Sequence, residues 1–435
     1  MDFIGKKILV VGMKASGISA SFLARSKGAE VFCYDDDRNL SFGGFIFLKN
    51  VTPEIMKNID LVVVSPAIPF DHKVIKLAKE LKKRIIGELE FGCAYLDCPQ
   101  IMITGTNGKT TVVTMIEKLL NVAGYKARAM GNIGYPVSQI VLDKVNLDYA
   151  VIEVSSFQLE YIEKIKPHVA VILNLAPDHL DRYDSYSSYV NAKKKIGINQ
   201  SIDDFLLFNS DDGTARQFIK HTLAKPIAIS TSNKLSSVYI KDGYFMYGDQ
   251  ALCSVKQCRL RGEHNKFNML MALNVGALLG VKKDHMTKLI RDYSLLPNRI
   301  EYVSTINGIS YYNDSKGTNI HACRYAIESM DGTVGLIMGG SDKNEDFCDF
   351  FENIDEKVVF IAATGANAIK IANSAYKMGY TNINVVENLV SAVDLLTKKR
   401  VDNVLLSPCC ASFDRYKNYA ERGEKFKEAV YAIKS

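Results

Sequence analysis

The sequence has no C-x-x-C pair, no arginine-rich tract, no apolar run of membrane-spanning length, no internal repeat and no low-complexity segment. Its nine cysteines, at positions 33, 93, 98, 253, 258, 323, 348, 409 and 410, are scattered and odd in number. That spacing excludes a zinc ribbon and argues for reduced thiols rather than a disulfide framework. Without an arginine-rich tract, the net charge of +6 reads as solubility or as suited to small anions, not as a nucleic-acid surface. The missing apolar run excludes a membrane-spanning helix. Residues 1–7 lead directly into a strand-like run without a signal-peptide pattern. The expectation is a cytoplasmic enzyme, working as a monomer with neither nucleic acid nor membrane as partner.

What is present is alternation. Short apolar runs exchange with amphipathic helical stretches over 435 residues, with 47% hydrophobic and 23% charged residues. This pattern gives an α/β fold with parallel sheets, and the length calls for two or three domains. Strand Lys7–Val11, a Gly12–Gly17 loop, a helix to about Lys27, strand Glu30–Tyr34 and strand 60–64 form a Rossmann-like unit. Its fingerprint is incomplete: Lys14 stands where a G-x-G-x-x-G loop needs the central glycine, which disfavours a NAD oxidoreductase. Asp35 and Asp36, after the second strand, are either sugar acceptors or a solvated turn. A second unit contains strands 149–154 and 169–174, an antiparallel appendage over 236–262 and a helix over 265–279. Leu296-Pro297-Asn298-Arg299 reads as a linker. Strands near 309–313, 333–338, 357–363, 383–386 and 403–407 follow. The expected domains are 1–93, Rossmann-like; 94–298, a P-loop-type ATP-binding centre; and 299–435, Rossmann-like again.

Gly105-Thr106-Asn107-Gly108-Lys109-Thr110-Thr111 follows the apolar run Ile101-Met102-Ile103 and opens a helical pattern. A glycine turn between strand and helix aims backbone N–H groups at one point, where the helix N-terminus adds positive potential. Lys109 would reach terminal phosphates and the Thr110 hydroxyl would hold Mg²⁺. A full Walker pattern needs glycine at position 103, where Ile103 stands, so the strand-loop-helix context carries the reading.

Ligands in parallel sheets bind beyond the carboxyl ends of strands. Glu153 ends one strand and is placed for Mg²⁺. Asp178-His179-Leu180-Asp181-Arg182-Tyr183 follows another; His179 among acids suits a metal or substrate, while Asp178 and Asp181 equally suit helix capping. Lys193, one of three consecutive lysines, reads by itself as a surface residue. Asn265 and Asn268 share a helical face, suited to an adenine edge, with capping an equal reading of Asn265. In Asn313-Asp314-Ser315-Lys316-Gly317-Thr318-Asn319, Asp314 suits ribose hydroxyls and Lys316 and Thr318 suit carboxylates. Arg299 is a candidate clamp on the γ-phosphate.

Together these segments, with Gly131-Asn132-Ile133-Gly134, Gly262–Asn268 and Leu406-Ser407-Pro408-Cys409-Cys410-Ala411-Ser412-Phe413-Asp414, resemble the Mur ligases of peptidoglycan synthesis, in order along the whole chain. The phosphate loop without its first glycine is that family's own form. The final segment, followed by Tyr419-Ala420-Glu421-Arg422-Gly423, resembles the branch that adds D-glutamate to UDP-MurNAc-L-alanine. The resemblance implies ATP and Mg²⁺ as cofactors and an acyl-phosphate route. It also implies closure of the third domain onto the second. By position it implies ATP contacts from Gly105, Thr106, Asn107, Gly108, Lys109, Thr110, Thr111, Asn265, Asn268, Arg299 and Asp314. Metal ligation falls to Thr110, Glu153, His179 and an N-carbamylated Lys193. Ala15, Ser16, Asp35, Asp36, Asn132 and Ser155 would meet the UDP substrate; Lys316, Thr318, Lys343, Ser412, Phe413 and Tyr419 would meet D-glutamate.

Overall fold

The computed structural model describes all residues except 1–2, 38, 41–42, 180–181, 259, 261, 294–296, 342–345 and 434–435. The chain divides into two compact units: Met1–Val255 with Asn268–Ile290, and Lys256–Phe267 with Arg291–Ser435.

The first unit carries two parallel sheets and a small antiparallel one. β1 (Lys7–Val11), β2 (Glu30–Tyr34), β3 (Ile46–Phe47), β4 (Leu61–Val64) and β5 (Arg84–Gly87) lie in the order β3-β2-β1-β4-β5, all parallel. The strands read as unbroken apolar runs, Leu61-Val62-Val63-Val64 for example, because both faces are covered. At the β1–β4 switch point the Gly12 loop is held by the Ser65 hydroxyl, 2.6 Å from the Gly12 carbonyl. A Cβ on Gly17 would lie 1.8 Å from that same carbonyl, so the helix Ala15–Ser26 can pack this closely only with glycine there.

The second sheet comprises β6 (Gln100–Thr104), β7 (Ala127–Gly131), β8 (Tyr149–Glu153), β9 (Val169–Ile172), β10 (Phe205–Asn209) and β11 (Lys225–Ile229), in the order β11-β10-β9-β6-β8-β7 and again all parallel. β6 is central, so the loop after it is flanked by the ends of β8 and β9. The appendage read at 236–262 is the antiparallel meander β12 (Val238–Lys241), β13 (Tyr244–Tyr247) and β14 (Gln250–Ser254).

The helix Glu88–Cys93 joins the two parallel sheets of this unit through two buried carboxylates. Glu88 accepts from the Ser138 N–H at 2.8 Å. Glu90 accepts from three consecutive backbone N–H groups, Glu163, Lys164 and Ile165, at 2.9–3.1 Å.

The second unit holds β15 (Glu301–Ile306), β16 (Ile309–Asn313), β17 (Val334–Met338), β18 (Val358–Ala363), β19 (Ile383–Val385) and β20 (Asn403–Leu406), in the order β15-β16-β20-β17-β18-β19. Only the edge strand β15 is antiparallel. Apolar layers cover both faces. The α/β class and the Rossmann-like character read from the sequence are borne out.

Candidate active site

The helix Lys109–Val122 starts directly after Gly108, whose φ of +85° is a left-handed conformation that favours glycine and which, lacking a side chain, gives the helix no side-chain cap. A Cβ at Gly108 would lie 2.6 Å from Asn268 Oδ1, so the glycine and Asn268 fill one another's space. The loop is pinned from β9. Asn107 N–H donates to Asn174 Oδ1 at 2.9 Å and Asn174 Nδ2 returns a bond to the Asn107 carbonyl at 3.0 Å. Thr106 Oγ1 donates to the Ala176 carbonyl and lies 3.0 Å from the Tyr189 hydroxyl.

Two lysines meet at this loop. Lys109 Nζ donates to the carbonyls of Gly105 and Thr106, each at 2.8 Å. Lys193 Nζ donates to the same Gly105 carbonyl at 2.8 Å and to Thr104 Oγ1 at 3.3 Å. Lys193 is 1% exposed. Burial, and secondarily the positive charge of Lys109, hold its amine well below the ordinary lysine range, partly offset by Asp178 and Glu153. The surface reading of this residue is thereby corrected: the helix Tyr186–Lys194 turns Lys193 inward, four residues after Tyr189, whose ring lies 4.8 Å from its Nζ. Tyr189 went unread in the sequence, although its i,i+4 spacing from Lys193 was the available signal.

Glu153 ends β8 and is 3% exposed. Asn132 grips it twice, by Nδ2 to Oε1 at 2.8 Å and by its N–H to the Glu153 carbonyl at 2.9 Å. Ser155 caps the short helix Ser156–Leu159 in a capping box with Gln158. His179 has φ +55° and packs on Phe157 with ring centres 4.7 Å apart; its Nε2 lies 3.8 Å from Asp178. Arg182 and Tyr183 both donate to the His179 carbonyl through their N–H groups, and both side chains hold the buried Glu160. Neither Glu160 nor Arg182 carries a role in the sequence reading, and nothing in the sequence shows that they meet. Asp181 lies outside the described residues.

Among the described residues, no three His, Cys, Asp or Glu side chains gather as a metal cluster. The donor set still fits Mg²⁺: a buried hydroxyl at Thr110, a buried carboxylate at Glu153 and, at Lys193, a buried amine whose cationic form burial disfavours. His179 borders the same loop system.

In the first sheet, Ala15 and Ser16 open the helix after β1. Asp35 accepts from the Met13 N–H at 2.6 Å, closing the Gly12 loop, and Asp36 takes the Tyr34 hydroxyl at 3.0 Å. Asp35 is therefore built into the turn, whereas the Asp36 side chain stays largely exposed.

In the second unit, Asn265 is buried near the start of the helix Glu263–Leu278. Arg299 sits between two left-handed residues, Asn298 at +65° and Ile300 at +45°. A β-branched residue there is strained, and the Ile300 N–H is held by Asp314 Oδ1 at 3.3 Å. Asp314 is buried, accepts from the Ser407 hydroxyl at 2.8 Å, and is pushed up to about 7 by burial against the pull of Ser407 and Arg299. Lys316 Nζ lies 5.1 Å over the Tyr419 ring. Thr318 N–H donates to the Lys316 carbonyl and Ser412 is buried, whereas Phe413 is 74% exposed. Lys343 lies outside the described residues.

A glycine-turned strand-to-helix loop at the carboxyl ends of parallel strands, with a buried acid and a buried lysine beside it, has the architecture of a nucleotide-dependent enzyme. Residues 103–276 match the Mur ligase middle domain, and residues 298–410 match the Mur ligase glutamate ligase domain. The chain belongs to the Mur ligase family of ATP-dependent ligases. It is 36% identical to the UDP-N-acetylmuramoylalanine–D-glutamate ligase of Lachnoclostridium phytofermentans and 35% identical to that of Caldanaerobacter subterraneus subsp. tengcongensis, in each case over 100% of both chains. The MurF ligase of Thermotoga maritima, solved in complex with ADP, shares the fold with a TM-score of 0.62 at 16% identity over 99% of this chain and 96% of that one.

Proposed function

We propose that this chain joins D-glutamate to the L-alanyl carboxylate of UDP-MurNAc-L-alanine at the expense of ATP, as a cytoplasmic monomer. The observation that carries the reading is the meeting of Lys109, Lys193 and the Gly105 carbonyl beside Glu153, within whole-chain similarity to ligases of that name. A carboxylate is a poor electrophile for an amine. Its oxygen attacks the ATP γ-phosphorus, the bond to the β–γ bridging oxygen breaks, and ADP leaves. The unprotonated amine of D-glutamate then attacks the acyl carbon and phosphate departs. Two anions approach in the first step, so Lys109 and the N–H groups of the loop stabilise charge that grows on the phosphoryl oxygens.

Thr110, Glu153, His179 and Lys193 would hold Mg²⁺, which supplies neutralisation between the two anionic reactants. Lys193 would serve as a carbamate: its neutral amine adds to CO₂, forms an N–C bond and loses one proton. Residues 1–93 would take the uridine end through Ala15, Ser16, Asp35 and Asp36. Residues 94–298 would take ATP, and residues 299–435 would take D-glutamate near Lys316, Thr318, Ser412 and Tyr419. Asn132 and Ser155 are committed to Glu153 and to a helix cap, so contacts from them to the muramoyl group would come from remaining donors.

The test is ADP release with UDP-MurNAc-L-alanine against a panel of D- and L-amino acids. D-glutamate alone should support rapid turnover; release with none of the panel, or preference for another amino acid, overturns the reading. Lys109→Ala should cost on the order of 10²–10³ in kcat.

A further inference from the structure

Arg422 lies in the first turn of the helix Tyr419–Ala432 and is 2% exposed. Its guanidinium has five N–H donors in one rigid plane, and all five are used. Nε donates to Ser315 Oγ at 2.9 Å. One terminal nitrogen donates to the carbonyls of Gly339, at 3.4 Å, and Ala411, at 3.2 Å. The other donates to the carbonyls of Ser315, at 2.7 Å, and Cys410, at 3.0 Å. Every acceptor is neutral, and burial lowers the group only to about 10, so it stays a cation at neutral pH.

The acceptors come from three loops, those following β16, β17 and β20. These strands are neighbours in the sheet, in the order β16-β20-β17, and their carboxyl ends form the crevice where ligands of parallel sheets bind. Two of these loops lead into candidate amino-acid contacts: Lys316 and Thr318 after β16, and Ser412 after β20. The helix adds Tyr419, whose carbonyl accepts from Ser315 Oγ at 2.8 Å. The fit leaves no slack. A Cβ on Gly340 would lie 2.1 Å from the Ala411 carbonyl and 3.0 Å from the guanidinium.

We propose that Arg422 is a positioning residue for the amino-acid substrate: its planar fork sets the three strand-end loops in mutual register, and thereby the affinity for the incoming D-glutamate, without touching it. The proposal rests on the ligase reading above. Lysine keeps the charge but offers three donors on a single nitrogen, so it cannot serve the five acceptors spread over these loops.

The experiment compares wild type, Arg422→Lys, Arg422→Met and Ser315→Ala in steady-state kinetics, and in single-turnover formation of acyl phosphate without amino acid. The expected result is a KM for D-glutamate raised about tenfold or more in Arg422→Met, less in Arg422→Lys and least in Ser315→Ala. KM values for ATP and the nucleotide sugar, and the acyl-phosphate rate, should stay within about twofold. Folded variants with an unchanged D-glutamate KM overturn the proposal, as does a uniform loss of every KM and of the half-reaction together. If Arg422→Met fails to fold, Arg422→Lys and Ser315→Ala decide alone. A wild-type protein that releases no ADP with any amino acid sinks the ligase reading instead, which the wild-type arm reports separately.

Discussion

Lys193 shows how little a residue type says apart from its burial. A lysine amine donating to one carbonyl and one hydroxyl in a dry site, beside a second lysine, is disfavoured as a cation and favoured as a nucleophile. Protein equilibrated with ¹³C-labelled bicarbonate should show one carbamate carbon resonance that disappears in Lys193→Ala; its persistence there would assign the modification elsewhere. A second residue-scale prediction comes from two groups with opposite proton linkage. Asp314 is raised from 3.8 to about 7. Between those values the folded state binds the extra proton, so this group's contribution to stability falls as pH rises. His264 is lowered from 6.5 to about 4 by burial and by Arg299. Between those values the unfolded state binds the extra proton, so its contribution is lost as pH falls. The windows overlap and the slopes, each up to about 1.4 kcal/mol per pH unit, nearly cancel from about pH 4 to 6.5. Denaturant unfolding should therefore gain stability with pH over that range in Asp314→Asn and lose it in His264→Gln. Equal slopes in both variants would refute the linkage.

At the scale of elements, the strands were legible because parallel sheets buried on both faces leave continuous apolar runs. The Gly105–Thr111 strand-to-helix turn was legible because glycines at fixed spacing separate an apolar run from a helical pattern. Edge strand β15 was not read, although Asn307-Gly308, with φ of +52° and +84°, is a two-residue hairpin signal like Asp242-Gly243 between β12 and β13. Long-range polar contacts were illegible for a different reason. Arg422 and Ser315 are 107 positions apart, and Glu90 and Ile165 are 75 apart, so no local period reports them. The Glu90 clamp fixes how the helix Glu88–Cys93 is tied into the second parallel sheet, because three N–H groups have one carboxylate as acceptor. Glu90→Gln leaves one carbonyl oxygen and presents an NH₂ to the same donors. It should cost about 3 kcal/mol in unfolding of the Met1–Val255 unit. A loss under about 0.5 kcal/mol, within the range of ordinary surface changes, would mean that water replaces the carboxylate without penalty.

At the scale of the whole molecule, the two steps proposed above would draw mainly on different units, with three proposed ATP contacts, Asn265, Arg299 and Asp314, in the second. The phosphate loop, Glu153 and Lys193 all lie in the first unit, whereas Thr318, Ser412 and Tyr419 lie in the second. Activation of the carboxylate needs no amine, so variants in the amino-acid loops should leave it intact. Single-turnover mixing of enzyme, ATP and UDP-MurNAc-L-alanine without amino acid should yield an acyl phosphate trapped by hydroxylamine as the hydroxamate. Ser412→Ala and Thr318→Val should trap it at the wild-type rate yet form the amide at least about tenfold more slowly once D-glutamate is added. Lys109→Met should trap almost none, because the charge on the transferring phosphoryl group then goes unmet. Equal losses of both steps in the Ser412 and Thr318 variants would mean that the amino-acid loops also shape the nucleotide site, and the separation of roles between the units would fail.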